Sequence, residues 1–150
     1  MLQALLFKNY LIFTPLVSYL VTQILKTILY SVMNKRFEYK RLFGSGGMPS
    51  SHSATVVALA TAALRKFGAL SPVSAIALIF AAVVVYDARG VRQETGKHAQ
   101  LLNELIKKLS GAEGGEEIHI QLNEMVGHTF LQVLVGGITG LVITLCIPVF

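Results

Sequence analysis

Apolar residues gather into four long runs, separated by two polar stretches and one short turn. A bilayer core of about 30 Å takes roughly 20 apolar residues as a helix. The first run, 10–33, carries Gln23 and Lys26 within it. The second, 49–67, closes on Arg65 and Lys66, whose long stems can carry their charges to water from a helix end. The third, 72–86, follows Ser71-Pro72, a helix-start pair, and the fourth covers 128–150. Hydrophobicity wraps every side of these segments, where a soluble bundle would show one apolar face. The predicted fold is all-α: a polytopic membrane helix bundle of about four spans, with 1–150 as a single domain. A soluble helical bundle is the alternative. The apolar N-terminal run lacks a small-residue cleavage site after a short core, so it reads as a retained span.

The polar stretches complete this picture. Residues 34–48 include Lys35, Arg36, Lys40 and Arg41. Within 87–127, Leu101, Leu102, Leu105, Ile106 and Leu109 share one helical face, while Glu104, Lys107 and Lys108 fall elsewhere. That pattern predicts an amphipathic interfacial helix, lying on the bilayer or capping the bundle. Residues 111–115 read as a break. Ile118, Ile120 and Leu122 alternate, which fits a short strand or a helix leading into the fourth run. Alternating spans place 34–48 and 87–127 on one side, with most of the cations, and the positive-inside rule makes that side cytoplasmic.

Composition narrows the classes. Of 150 residues, 53% are hydrophobic and 14% charged, with a formal net charge of +5. That excess suits an anionic partner at a membrane; no nucleic-acid partner is expected. The lone Cys146 excludes an internal disulfide framework.

Chemistry concentrates where a basic loop meets the second run, at Gly46-Gly47-Met48-Pro49-Ser50-Ser51-His52-Ser53-Ala54. Glycines such as Gly47 let backbone approach a ligand, and Pro49 suits the first helical position. Ser50 and Ser51 set hydroxyls beside the N–H groups of a helix start, an anion-binding arrangement. His52 adds a group that titrates near neutral pH. The same topology brings Lys26, Asp87, Arg89, Arg92 and His128 to that face, and Arg41 lies in the adjoining loop. Gln132, four residues after His128, lies on the same face of a helix and can fix the imidazole tautomer; Glu124 can do so from the other side. Asp87 is a candidate catalytic residue, able to supply the negative charge beside the imidazole that an amide at Gln132 lacks, and it has two further readings: an ion pair with Arg92 or Lys26, or a Mg²⁺ ligand together with Glu94 or Glu124. Lys97 and His98 read as solvated surface. The polar residues gather at one face and line no path across the bilayer, which disfavours a small-solute transporter.

Pro49-Ser50-Ser51-His52 resembles the Pro-Ser-Gly-His signature of the type 2 phosphatidic acid phosphatase superfamily. His128, Gln132, Val133 and Gly136 resemble its His-(three residues)-Asp-Val-(two residues)-Gly signature. The whole chain is most similar to the divergent bacterial and plant branch, where segments like Ser45 to Ala54, Tyr86 to Arg92 and Gly127 to Thr129 recur. The resemblance implies an integral membrane phosphatase acting on a lipid phosphate or diphosphate, with no cofactor. It makes His128 the nucleophile, His52 the general acid, and Ser50, Ser51, Gly47, Lys26, Arg41 and Arg92 candidates for holding phosphate. The chain also departs from the pattern. The Lys-(six residues)-Arg-Pro signature is absent from 34–48. Gln121 and Leu122 stand where Ser-Arg is usual, and Gln132 stands where Asp is usual. A degenerate membrane protein that binds a phosphorylated lipid or partner without turnover is therefore the alternative. Four short spans also leave room for self-association.

Overall fold

A computed structural model describes residues 8–35, 47–110, 121–122 and 127–150, without the side chains of 91–93 and 110. Five helices account for most of them, and no strand occurs among the described residues. Helix α1 (Tyr10–Asn34) starts at Asn9, whose side chain accepts from Leu11 N–H at 3.1 Å, and ends at Lys35 in the left-handed region (φ 50°). Helix α2 (Ser51–Phe67) is capped by Ser50 and ends at Gly68 (φ 80°). Helix α3 (Pro72–Arg89) has Ser71 as its cap and Pro72 in its first turn. Helix α4 (Val91–Ser110) follows almost at once, and α5 (Phe130–Cys146) begins at a Thr129 cap.

Three boundaries differ from the sequence reading. Pro49 is not the first helical residue, because Ser50 takes the cap and leaves Pro49 ahead of it. Helix α3 runs past Tyr86 to Arg89, so Asp87 lies in its last turn. The helix of the fourth apolar run, α5, starts at Phe130, not His128, because Thr129 forms a capping box with Gln132. His128 and Gln132 thus meet around a helix cap, not along one helical face. Gln121 and Leu122 are not helical; Ile118, Ile120, Glu124 and residues 111–115 lie outside the described residues.

Helix α2 is central, packing on α1, α3 and α5, while α1 also packs on α5. The burial pattern is inside-out for a soluble protein. The interior consists largely of Ala54, Ala58, Ala62, Ala63, Thr14, Ser18, Thr22 and Ser74, while Leu20, Ile24, Ile28, Ile76, Ile79 and Val83 are more than half exposed. Small residues inside and large apolar residues outside are what helices packing in lipid require. Several interior hydroxyls bond backbone carbonyls, as in Thr22 to Ser18 O (2.6 Å) and Ser18 to Ala54 O (3.3 Å). The soluble alternative fails on this pattern. Helix α1 and the run 72–109, whose apolar part is α3, are long and apolar enough to cross a membrane. Helices α2 and α5, at 17 residues each, reach about 26 Å.

Helix α4 presents Gly96, Ala99 and Asn103 as its buried face, while Leu101, Leu102, Leu105 and Leu109 are exposed. The leucine face therefore does not cap the bundle. It remains available to a bilayer surface, as an interfacial helix requires.

At one end of the bundle Arg65 closes α5. Its Nη1 donates to Tyr10 Oη (2.8 Å), to Ile147 O (2.7 Å) and to Thr144 O. Lys66 reaches Phe150 O at 2.8 Å. The opposite end gathers the starts of α2 and α5 with the ends of α1 and α3.

Candidate active site

The two histidines meet at that opposite end. His52 is the second residue of α2, and His128 lies two residues ahead of α5; their ring centroids are 6.0 Å apart with planes at 56°. Backbone contacts set this spacing. Ser50 N–H donates to Gln132 O at 3.0 Å, joining the start of α2 to the first turn of α5. His128 N–H donates to Ala88 O at 3.0 Å, tying the His128 segment to the end of α3. Gly127 precedes it at φ 91°, a conformation natural to glycine.

The α2–α5 contact is close because of Gly136 and Gly140. A Cβ at Gly136 would stand 3.0 Å from Ser50 N and collide with Ser50 O; one at Gly140 would collide with Ala54 O. Spaced four apart, the two glycines let the backbones touch.

The hydrogen bonds around Gln132 fix the protonation pattern of His128. Thr129 N–H donates to Gln132 Oε1 at 3.1 Å, and His128 Nδ1 lies 3.2 Å from the same oxygen. An amide N–H requires an acceptor, so the oxygen faces Thr129. Nδ1 must then carry the hydrogen, so His128, when neutral, presents its lone pair on Nε2.

Lys26, within α1, is only 2% exposed, and its Nζ lies 3.4 Å from Ser51 Oγ. Gly47 (φ 94°) sits against the lysine stem, where an added Cβ would be 3.5 Å from Lys26 Cγ. Ser51 is 3% exposed. Ser50 is fully buried, and its hydroxyl accepts from Ser53 N–H (3.3 Å) and Ser53 Oγ (3.1 Å), so its hydroxyl serves the cap first. Asp87 is half-buried beside Ala88, in the turn that holds His128. Arg92 belongs to the first turn of α4, but its side chain, like all of Arg41, lies outside what is described.

Two features escaped the sequence reading. The guanidinium of Arg89 stacks 5.0 Å from the centre of the Phe130 ring, placing a cation beside the start of α5. Asn103, 7% exposed, clasps Leu122 from both sides: its Nδ2 donates to Leu122 O (3.0 Å) and its Oδ1 accepts from Leu122 N–H (2.9 Å). A lone Asn within an amphipathic pattern carries no signal of such a contact.

Metal ligation finds little to work with. Glu94 pairs with Lys97 at 2.7 Å on the exposed face of α4, and that hydrogen bond and charge hold its carboxyl below the usual range. Among the described residues no group of three or more His, Cys, Asp or Glu gathers around a common point.

A family model described as "Divergent PAP2 family" matches residues 7–143, a span that includes both histidines. The chain belongs to this family. It is 30% identical over 154 aligned residues to the uncharacterized membrane protein YuiD of Bacillus subtilis (strain 168), covering 97% of this chain and 98% of that protein. No solved structure matches. As a divergent PAP2 protein, the chain is a membrane protein of phosphatase-like type. The match runs from the start of α1 to most of α5 and so includes the segments that carry both histidines.

Proposed function

We propose that this chain is an integral membrane phosphohydrolase that releases phosphate from a lipid phosphate or diphosphate through a phosphohistidine. The observation that carries the reading is the His52–His128 pair, 6.0 Å between ring centres, at the starts of two helices and beside the buried Lys26. Both helix starts turn their positive dipole ends to that point, and Lys26 adds a full charge. Such a cluster suits a transferring phosphoryl group, whose catalysis is mostly positioning and charge stabilisation.

The residues divide the work as follows. His128 Nε2 attacks phosphorus while the bond to the leaving oxygen breaks. His52, as imidazolium, gives its proton to that oxygen. Neutral His52 then takes a proton from water as the water oxygen attacks the phosphohistidine. The P–N bond breaks, its electrons return to Nε2, and phosphate leaves. Gln132 keeps the hydrogen on Nδ1, so Nε2 remains the nucleophile. Ser51 and Lys26 hold non-bridging oxygens, Arg92 and Arg41 add charge from the adjoining segments, and Asp87 stabilises the cationic histidine. None of these steps draws on a metal.

The test is phosphate release by the purified chain from farnesyl phosphate, farnesyl diphosphate and phosphatidate, with and without EDTA. Release should persist in EDTA, and His128→Ala should abolish it. His52→Ala should lower it by roughly a hundredfold or more, the usual scale for a lost general acid. Full activity in His128→Ala would remove the nucleophile assignment. Gln132 supports a second reading, since an amide cannot balance the charge of an imidazolium as a carboxylate does: a phospholipid-binding protein without turnover. That reading expects lipid phosphate to bind tightly, unaffected by His128→Gln, with no phosphate released.

A further inference from the structure

We infer that Arg89 holds the inner phosphate of a lipid diphosphate, so that this chain prefers a diphosphate to a monophosphate. This rests on the phosphohydrolase reading above and decides between the two substrate classes it leaves open.

Arg89 is joined to the segment of the nucleophile from two sides. Its chain neighbour Ala88 accepts His128 N–H at 3.0 Å. Its guanidinium lies 5.0 Å from the ring centre of Phe130, two residues after His128. A ring face attracts the cation without offering it an oxygen acceptor. Among the described residues no acceptor meets the Arg89 N–H groups, and the side chain is exposed, so an anion can reach them.

Position separates this cation from Lys26. Lys26 is 2% exposed and meets Ser51 from the interior of the bundle. Phe130, which carries Arg89, is 58% exposed on the outer, lipid-facing surface. The histidine pair thus has one cation on its interior side and another on its lipid side. A lipid substrate keeps its chain in the bilayer, so the phosphorus under attack lies inward and the next group lies toward Arg89. Beyond the ester oxygen a monophosphate has only carbon there, which gives a guanidinium nothing to bind. A diphosphate has a second phosphate, which a planar guanidinium meets with two parallel N–H···O bonds.

The electron balance points the same way. His128 Nε2 bonds to the terminal phosphorus, and the bond from that phosphorus to the bridging oxygen breaks. The electron pair stays on the bridging oxygen, so the departing lipid monophosphate gains negative charge beside Arg89. Bilayer headgroups also meet an exposed arginine, but they bring no phosphorus to His128.

The experiment measures kcat/KM of wild type and Arg89→Gln in lipid nanodiscs on farnesyl diphosphate and farnesyl phosphate, which share a chain and differ by the inner phosphate. Arg89→Gln should lower kcat/KM roughly tenfold to a hundredfold on the diphosphate, the scale of hydrogen bonds to a charged group, and at most about threefold on the monophosphate. Equal loss on both would make Arg89 a ligand of the transferred phosphoryl group; no loss on the diphosphate would make it a solvated surface cation. Either result overturns the proposal. Binding of two non-hydrolysable analogues, farnesyl methylenediphosphonate and farnesyl phosphonate, is a second measurement that needs no turnover. Wild type should bind the diphosphonate more tightly, and Arg89→Gln should lose that preference. A wild type without the preference, or a preference that survives the substitution, overturns the proposal. If wild type releases phosphate from neither substrate, the hydrolase reading fails, and the binding comparison still decides the role of Arg89 by itself.

Discussion

Gln132 does two things with one oxygen. It accepts from Thr129 N–H to close the α5 cap, and it receives Nδ1–H of His128 at 3.2 Å. The two uses can be separated by substitution. Gln132→Leu removes both, and should lower turnover by roughly tenfold to a hundredfold, the scale of a lost positioning contact. Gln132→Glu keeps an oxygen acceptor for both and should retain more of the activity. Thr129→Ala removes only the cap hydroxyl, which accepts from Gln132 N–H at 3.4 Å. It should cost about 1 kcal/mol of stability, read by thermal unfolding, with a far smaller effect on turnover than Gln132→Leu. If the two variants lose turnover equally, the glutamine acts through the cap alone. The sequence made the His128–Gln132 pairing legible through their spacing. It did not make legible why the pairing holds, because a helix cap and a helical face place residues four apart in similar reach. Only the position of Thr129 as cap distinguishes them.

At the scale of elements, the contacts that position the histidines are made by backbone. Ser50 N–H meets Gln132 O, and Gly136 leaves Ser50 room to do so. Gly136→Ala should therefore push the start of α2 away from α5. Overpacking of this kind costs about 1–3 kcal/mol, and here it should also separate the two rings, so activity should fall with stability. Gly140→Ala should destabilise comparably but act a full turn farther from the site, with less effect on turnover in the protein that remains folded. Thermal unfolding and phosphate release on the same samples check both. Arg65 supplies the contrasting case. It holds the far end of α5 through Ile147 O and Thr144 O. Arg65→Met should lower stability by about 1 kcal/mol, since it removes hydrogen bonds to carbonyls that only the longer contacts of Tyr10 Oη then reach, without changing KM. The hydropathy pattern revealed which segments are helices. It did not reveal which glycines face which helix, since Gly136, Gly137 and Gly140 look alike in a run of apolar residues. Nor did it separate the leucine face of α4 from its buried face, because that buried face is built from Gly96, Ala99 and Asn103.

For the whole molecule, small residues inside and large apolar residues outside mean that lipid is the solvent around the bundle, and orientation in that lipid follows from charge. The site end joins segments bearing Lys35, Arg36, Lys40, Arg41, Arg89, Arg92, Lys97, Lys107 and Lys108; the far end bears Lys8, Arg65 and Lys66. Two of those three far-end cations have structural duties, since Arg65 and Lys66 both bond carbonyls at the end of α5. Their presence is explained without any role in orientation, which strengthens the asymmetry. Some site-end cations are the ones proposed to hold phosphate, but Lys97 pairs with Glu94, and Lys107 and Lys108 lie at the end of α4. These belong to the interfacial helix and not to the histidine cluster. The site should therefore face the cytoplasm. Single cysteines in a Cys146→Ser background test this, because Cys146 is itself exposed at the far end. Leu70→Cys, in the turn between α2 and α3, should react with a membrane-impermeant thiol reagent in intact cells. Lys97→Cys should react only after the membrane is opened. The reverse pattern would put the histidines outside the cell and would require the substrate's phosphate to be presented from the outer leaflet.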